Sequence, residues 1–207
     1  MKSAMPYCGV PATPLRAICR KVFVEQPLES CDAWQAAILT LWREAAFREE
    51  RYVALGLAGS RLYRQYRTLD MLPVWEELIV TGAWWDLVDG LASHELGDLV
   101  RAHPAEMKPL MLRWARDEDL WKRRAAILCQ IGSKAQTDLE LLYGCIEPNL
   151  TDTEFFIRKA IGWALRSYAW TDPEEVRRYV AQRDGRLSGL SKREALKNLE
   201  AAPPRPG

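Results

Sequence analysis

An all-α chain of stacked antiparallel helical pairs is the fold this sequence predicts, on three observations. Apolar residues recur at three- and four-residue spacing through most of the 207 residues, and runs of strict alternation are scarce. Helix-start signatures, a capping Ser, Thr or Asp with a proline or an acid close behind, return along the whole length. Short joints bearing Pro or Asn recur at about the spacing of helical-pair repeats, though no strict sequence period shows. Such pairs stack into a superhelix with a concave face.

Each element has a local reason. Thr13-Pro14 opens the first helix with a cap and a proline whose fixed φ suits a first turn, and the pattern runs to about Val24. Ser30 begins a second, with Trp34, Ile38, Leu41 and Trp42 on one stripe. A third is expected from about Arg48 to Tyr66 and a fourth from Leu69 to Val80. Trp84 to about Leu91 reads as a short helix, with Gly97 in or between the short helices that follow. His103-Pro104 starts a helix to Ala115, and Asp117-Glu118-Asp119 puts negative charge at the head of the next, where the helix dipole favours it. Thr137 or Asp138 opens another, ending near Glu147-Pro148. Thr151-Asp152-Thr153-Glu154 opens the most regular helix, to about Tyr168; Thr171-Asp172-Pro173 and Ser191 open the last two. This leaves no room for a sheet. With no low-complexity linker or composition break, residues 1–200 read as one domain and the Pro-rich tail 201–207 as disordered.

Composition narrows the function classes. A hydrophobic fraction of 48% supplies a core, and no apolar run reaches the length of a membrane span. The start lacks the apolar stretch of a secretory signal. Five cysteines without a CxxC pair, and two histidines, His94 and His103, far from any cysteine, argue against a metal site; buried free thiols in a reducing cytoplasm fit instead. A net charge of +1 does not announce a nucleic-acid partner. Its distribution is uneven: residues 71–100 hold six acids and no Lys or Arg, while 101–135 hold eight bases against four acids. That bracketing could place one reactive carboxylate amid phosphate-binding groups, but on charge alone a solvated mosaic surface is the favoured reading.

The densest chemical signal is Trp84-Trp85-Asp86-Leu87-Val88-Asp89. Trp85 and Asp89 stand four apart, so a helix sets them on one face, one turn from each other. An aromatic face beside a carboxylate suits a site that must tolerate positive charge.

Three segments carry a family resemblance: Trp84-Trp85-Asp-Leu-Val-Asp89, Leu120-Trp121-Lys-Arg-Arg124-Ala-Ala-Ile-Leu128, and Glu154-Phe-Phe-Ile-Arg-Lys-Ala-Ile-Gly-Trp163-Ala-Leu-Arg166. They resemble the signature segments of the AlkD-type DNA alkylation-repair glycosylases. Further likenesses lie at Met1-Lys2 with Gly9–Pro14, at Glu76–Thr81 and at Leu190–Ala195, so the similarity spans nearly the whole chain in order. It implies a right-handed superhelix of HEAT-like helical pairs. It also implies excision of cationic bases, N3-alkyladenine and N7-alkylguanine, from duplex DNA without base flipping. By resemblance Asp89 is the catalytic carboxylate, Trp85 and Trp163 are the site tryptophans, and Arg124 is the site arginine. Arg124 then pairs with Asp89, or holds a flanking phosphate or the water. The family's members usually carry a further helix and a tyrosine ahead of the part matching Met1-Lys2. The sequence begins after that point, which leaves open a late assigned start or a missing aromatic wall.

An enzyme of this kind needs no cofactor and no metal. Its partner is double-stranded DNA containing alkylated purines, it can act as a monomer, and it belongs in the cytoplasm, at the nucleoid in a bacterium. Phosphate-contact candidates are Lys122, Arg123, Arg158, Lys159, Arg166, Lys192 and Arg193; spacing does not say which face inward. Each signal has a structural rival. Trp84, Phe155 and Phe156 read as core, and Trp34, Trp42, Trp75, Trp114, Trp121 and Trp170 as inter-helix packing. Asp86 is the poorer catalytic acid, pointing elsewhere on the helix. Two other functions compete: a non-catalytic relative binding branched or distorted DNA, and a protein-binding helical scaffold.

Overall fold

The computed structural model describes residues 5–199; the expected disordered tail lies outside them. The described residues form helices and no strand, an all-α helical-repeat fold. They pack as two compact units, divided between Leu87 and Val88.

The first unit holds α1 (Ala12–Glu25), α2 (Cys31–Arg43), α3 (Arg48–Ala58) and α4 (Leu72–Gly82), and α5 (Trp85–Leu91) begins in it. Ser30 starts α2 as expected, its Oγ accepting from the Ala33 amide at 3.1 Å. The helix expected from Arg48 to Tyr66 instead ends at Ala58; Gly59-Ser60 breaks it and a 3-10 turn, Arg61–Tyr66, follows. Ser60 Oγ accepts from the Leu62 amide, so a local cap outcompetes continuation of the helix. The core is built on α2: Trp34, Ile38 and Trp42 are buried against Ala54, Leu57 and Ala58 of α3 and against Trp75, Leu78 and Ile79 of α4. Both α2 indoles also spend their N–H, Trp34 on the Leu57 carbonyl (3.2 Å) and Trp42 on Thr81 Oγ1 (2.8 Å). Gly82 lets α4 lie on Trp42, since a Cβ there would come within 3.1 Å of the indole. Ala83 then turns the chain with φ at +43°, in the left-handed region, so that α5 starts in a new direction.

In the second unit, α5 passes through a wide π turn, Ala92–Leu96, into α6 (Gly97–Ala102). There follow α7 (Pro104–Trp114), α8 (Leu120–Leu128), α9 (Leu139–Ile146), α10 (Phe155–Ala169), α11 (Pro173–Gln182) and α12 (Gly189–Leu196). Acids cap three of these starts: Asp119 accepts from the Trp121 and Lys122 amides, Asp138 from Leu141 and Asp172 from Glu175. The last helix starts earlier than its Ser191 signal, because Ser188 is the cap and accepts from the Ser191 amide. Ser191 turns inward and donates to the Arg158 carbonyl at 2.9 Å. There α10 and α12 touch, and Gly162 is the reason: a Cβ on it would lie 2.4 Å from Glu194 Cβ and 2.8 Å from the Ser191 carbonyl oxygen.

Several burial expectations need correcting. Trp170 is 73% exposed, not packed: it is the capping residue after α10, and its side chain lies outside the core that buries Ala169 beside it. Phe155 is 51% exposed, because it opens α10 beyond the turns that α8 and α12 cover. Trp84 and Phe156 are half-buried. Of the cysteines, Cys129 and Cys145 are buried, but Cys8 is exposed and Cys19 and Cys31 are intermediate. No helix among the described residues is long and apolar enough to cross a membrane.

Candidate active site

The helix α5 begins with Trp85 and reaches Asp89 one turn later. Where it widens, side chains serve its carbonyls: Ser93 Oγ donates to the Asp89 carbonyl at 2.7 Å, and His94 Nδ1 lies 3.0 Å from that of Gly90.

In the second unit Asp89 meets Arg124 of α8. Arg124 Nε donates to Oδ1 at 2.7 Å and Nη2 to Oδ2 at 2.8 Å. Arg124 Nη1 donates to the Phe156 carbonyl at the head of α10, and the Phe156 ring lies 5.9 Å from the guanidinium carbon. Both members are buried, Asp89 at 8% and Arg124 at 4% exposure. An N–H on each oxygen makes both oxygens acceptors, the arrangement of a carboxylate anion. Arg124 thus gives one N–H from each of its three guanidinium nitrogens, two to Asp89 and one to the Phe156 carbonyl. The α8–α10 spacing is kept by Trp121, whose ring packs on Phe156 with centroids 5.2 Å apart.

The tryptophans are placed differently. Trp85 is 37% exposed. Trp163 sits on α10, two turns after Phe156 on the same side of that helix, and is half-buried. Neither indole is sealed in a core.

Most of the basic candidates are tied down. Lys122 pairs with Asp117 at 2.6 Å and lies over the Trp114 ring; Arg123 donates to the Asp117 and Glu118 carbonyls and to Asp152. Lys159 and Arg166 share Glu194, at 2.7 and 2.9 Å, and Lys192 holds Asp184 at 2.5 Å. Arg158 is half-buried and Arg193 is exposed. Sequence reasoning missed the Phe156 carbonyl, a backbone group that no residue pattern marks. Among the described residues no His, Cys, Asp and Glu cluster that could hold a metal ion is present.

The chain matches the family described as DNA alkylation repair enzyme over residues 1–199. Among solved structures it is similar to a protein described as a predicted DNA alkylation repair enzyme from Enterococcus faecalis. That likeness has 31% identity and a TM-score of 0.81, over 96% of this chain and 90% of that one. No curated protein matches it. The protein therefore belongs to the DNA alkylation repair enzyme family.

Proposed function

We propose that this protein is a monofunctional DNA glycosylase that hydrolyses the N-glycosidic bond of cationic purines, N3-alkyladenine and N7-alkylguanine, in duplex DNA. The observation that supports it most is the buried, doubly hydrogen-bonded Asp89–Arg124 pair, a carboxylate held in one orientation. A purine alkylated at N3 or N7 already carries positive charge. As its C1′–N bond breaks, the electron pair stays with the base, which leaves neutral, and the sugar takes on oxocarbenium character. Asp89 stabilises that cation and orients the water whose oxygen bonds to C1′, while the water's proton passes to Asp89 or to solvent. Arg124 keeps the carboxylate in register. Trp85 and Trp163 present indole faces to the cationic sugar, worth roughly 0.5–2 kcal/mol each. With no leaving-group acid required, the base need not be drawn into a pocket. DNA is held through its phosphates by Arg193 and by lysines and arginines, such as Lys192 and Lys159, that exchange a surface carboxylate for a phosphate. The protein acts as a monomer without a cofactor.

The test is release of 7-methylguanine from methylated duplex DNA by purified protein. Wild type releases it, Asp89→Asn is slower by roughly a hundredfold or more, and a duplex bearing neutral hypoxanthine stays intact. Equal rates in both proteins remove Asp89 from the mechanism. A wild type that binds branched DNA and releases nothing makes this a non-catalytic relative.

A further inference from the structure

Asp86, the poorer catalytic acid, closes a buried network of its own in the first unit. Tyr52 Oη donates to its Oδ2 at 2.6 Å, and Arg48 Nη2 donates to its Oδ1. Arg48 Nε in turn donates to Tyr52 Oη at 2.9 Å, so the three side chains form a closed ring of hydrogen bonds. Arg48 is 2% exposed, with the rings of Tyr52 and Tyr7 at 5.5 and 6.0 Å from its guanidinium carbon. The amino-terminal strap 6–10 covers it. The Arg48 amide donates to the Pro6 carbonyl, and the neighbouring Glu49 carboxylate accepts from the amides of Cys8, Gly9 and Val10 at 3.0, 2.9 and 3.2 Å. Burial first, and then the bond to Asp86, push the Tyr52 hydroxyl up to about 12, so it stays a neutral donor at physiological pH.

We infer that Arg48 and Tyr52, acting through Asp86, are positioning residues for Trp85. The helix that begins as α5 runs on through the π turn to Ala102, and its first turn at Trp85 is the end whose amides have no intrahelical acceptor. It starts two residues after the left-handed turn at Ala83, so its first turn needs a tertiary tie. Asp86 is its second residue, and the tie falls there. Trp85, the residue before, is partly exposed, so its direction is set through the backbone of that turn rather than by enclosure. The inference rests on the glycosylase reading for what Trp85 does, but not for how it is held.

Two measurements on the full chain test it, with Tyr52→Phe and Asp86→Asn. The first is single-turnover release of 7-methylguanine at saturating protein, beside the Kd for intact duplex and the Tm. The rate falls by roughly tenfold while Kd stays within about twofold, at a temperature where each variant is folded. The second is fluorine NMR of protein labelled with 5-fluorotryptophan, the Trp85 line being identified by its loss in Trp85→Phe. In Tyr52→Phe the Trp85 line moves or broadens while that of Trp114 stays put. An unmoved Trp85 line, wild-type rates, or a rate loss matched by the loss of folded protein overturns the inference. Wild-type protein that releases no base overturns the glycosylase reading alone, and the fluorine spectrum still decides the positioning.

Discussion

Breaking the Asp89–Arg124 pair from both sides should cost less than the sum of breaking it from each side alone. Arg124→Met removes two donors from a carboxylate that is 8% exposed and a third from the Phe156 carbonyl. What remains is a buried charge without its counter-ion, for which the cost is roughly 3–5 kcal/mol. For a chain of this size that lowers Tm by roughly 6–20 °C, at about 2–4 °C per kcal/mol. Asp89→Asn leaves the opposite defect: the guanidinium keeps one acceptor oxygen and faces an amide that also donates. In the double variant neither charge is stranded, so its loss is smaller than the sum of the single losses. The assay is urea unfolding at 25 °C of wild type, both single variants and the double, followed by circular dichroism. The expected coupling is about 2 kcal/mol or more. Single losses that add to within roughly 0.5 kcal/mol refute the claim that Arg124 exists to hold Asp89.

Two further perturbations probe the frame. Gly162→Ala drives a methyl group into Glu194 Cβ and the Ser191 carbonyl, forcing α10 and α12 apart; it should cost about 1–3 kcal/mol and be read as a lower urea midpoint, whereas an unchanged midpoint means the helices part freely. Glu49 governs acid sensitivity in the first unit. Burial alone would raise its pKa, but the amides of Cys8, Gly9 and Val10 more than reverse this and hold it below the usual carboxylate value. A group whose folded pKa is depressed adds stability above its unfolded pKa, and that stability is lost as pH falls through the folded value. Between neutral pH and the acid end of the carboxylate range, wild type should therefore lose more Tm than Glu49→Gln does. Parallel curves would show that the strap 6–10 is held by something else.

Helix starts were legible because capping is local chemistry. Ser30, Asp119, Asp138 and Asp172 each need only an amide two or three residues on, and each cap is present. Ser191 misled for the same reason, since Ser188 offers the same chemistry three residues earlier. Burial was less legible, because periodicity says which residues share a stripe but not how far along a helix the neighbours reach. Trp34 and Trp42 lie under two helices, whereas Trp170 and Phe155 sit at opposite ends of α10, where cover gives out. At the site, the Asp89–Arg124 pairing stood open beside two other uses of the arginine; the folded chain contains the pairing, with the Phe156 carbonyl as a third acceptor that no residue pattern marks.

The charge bracket in the sequence acquires a definite meaning. Acids of the segment 71–100 have found their cations on either side of it: Glu77 pairs with Arg43, Asp86 with Arg48 and Asp89 with Arg124. The uneven distribution thus describes folding contacts between distant segments more than a field aimed at DNA. Two of these arginines are buried and unavailable to phosphates, and several basic residues of α8 and α10 are paired as well. In the proposed reading, attraction to a duplex comes from the exposed remainder and from surface pairs that open on contact. In the proposed glycosylase reading, discrimination then rests less on net charge than on a fixed carboxylate facing a sugar that becomes cationic only as the damaged base leaves.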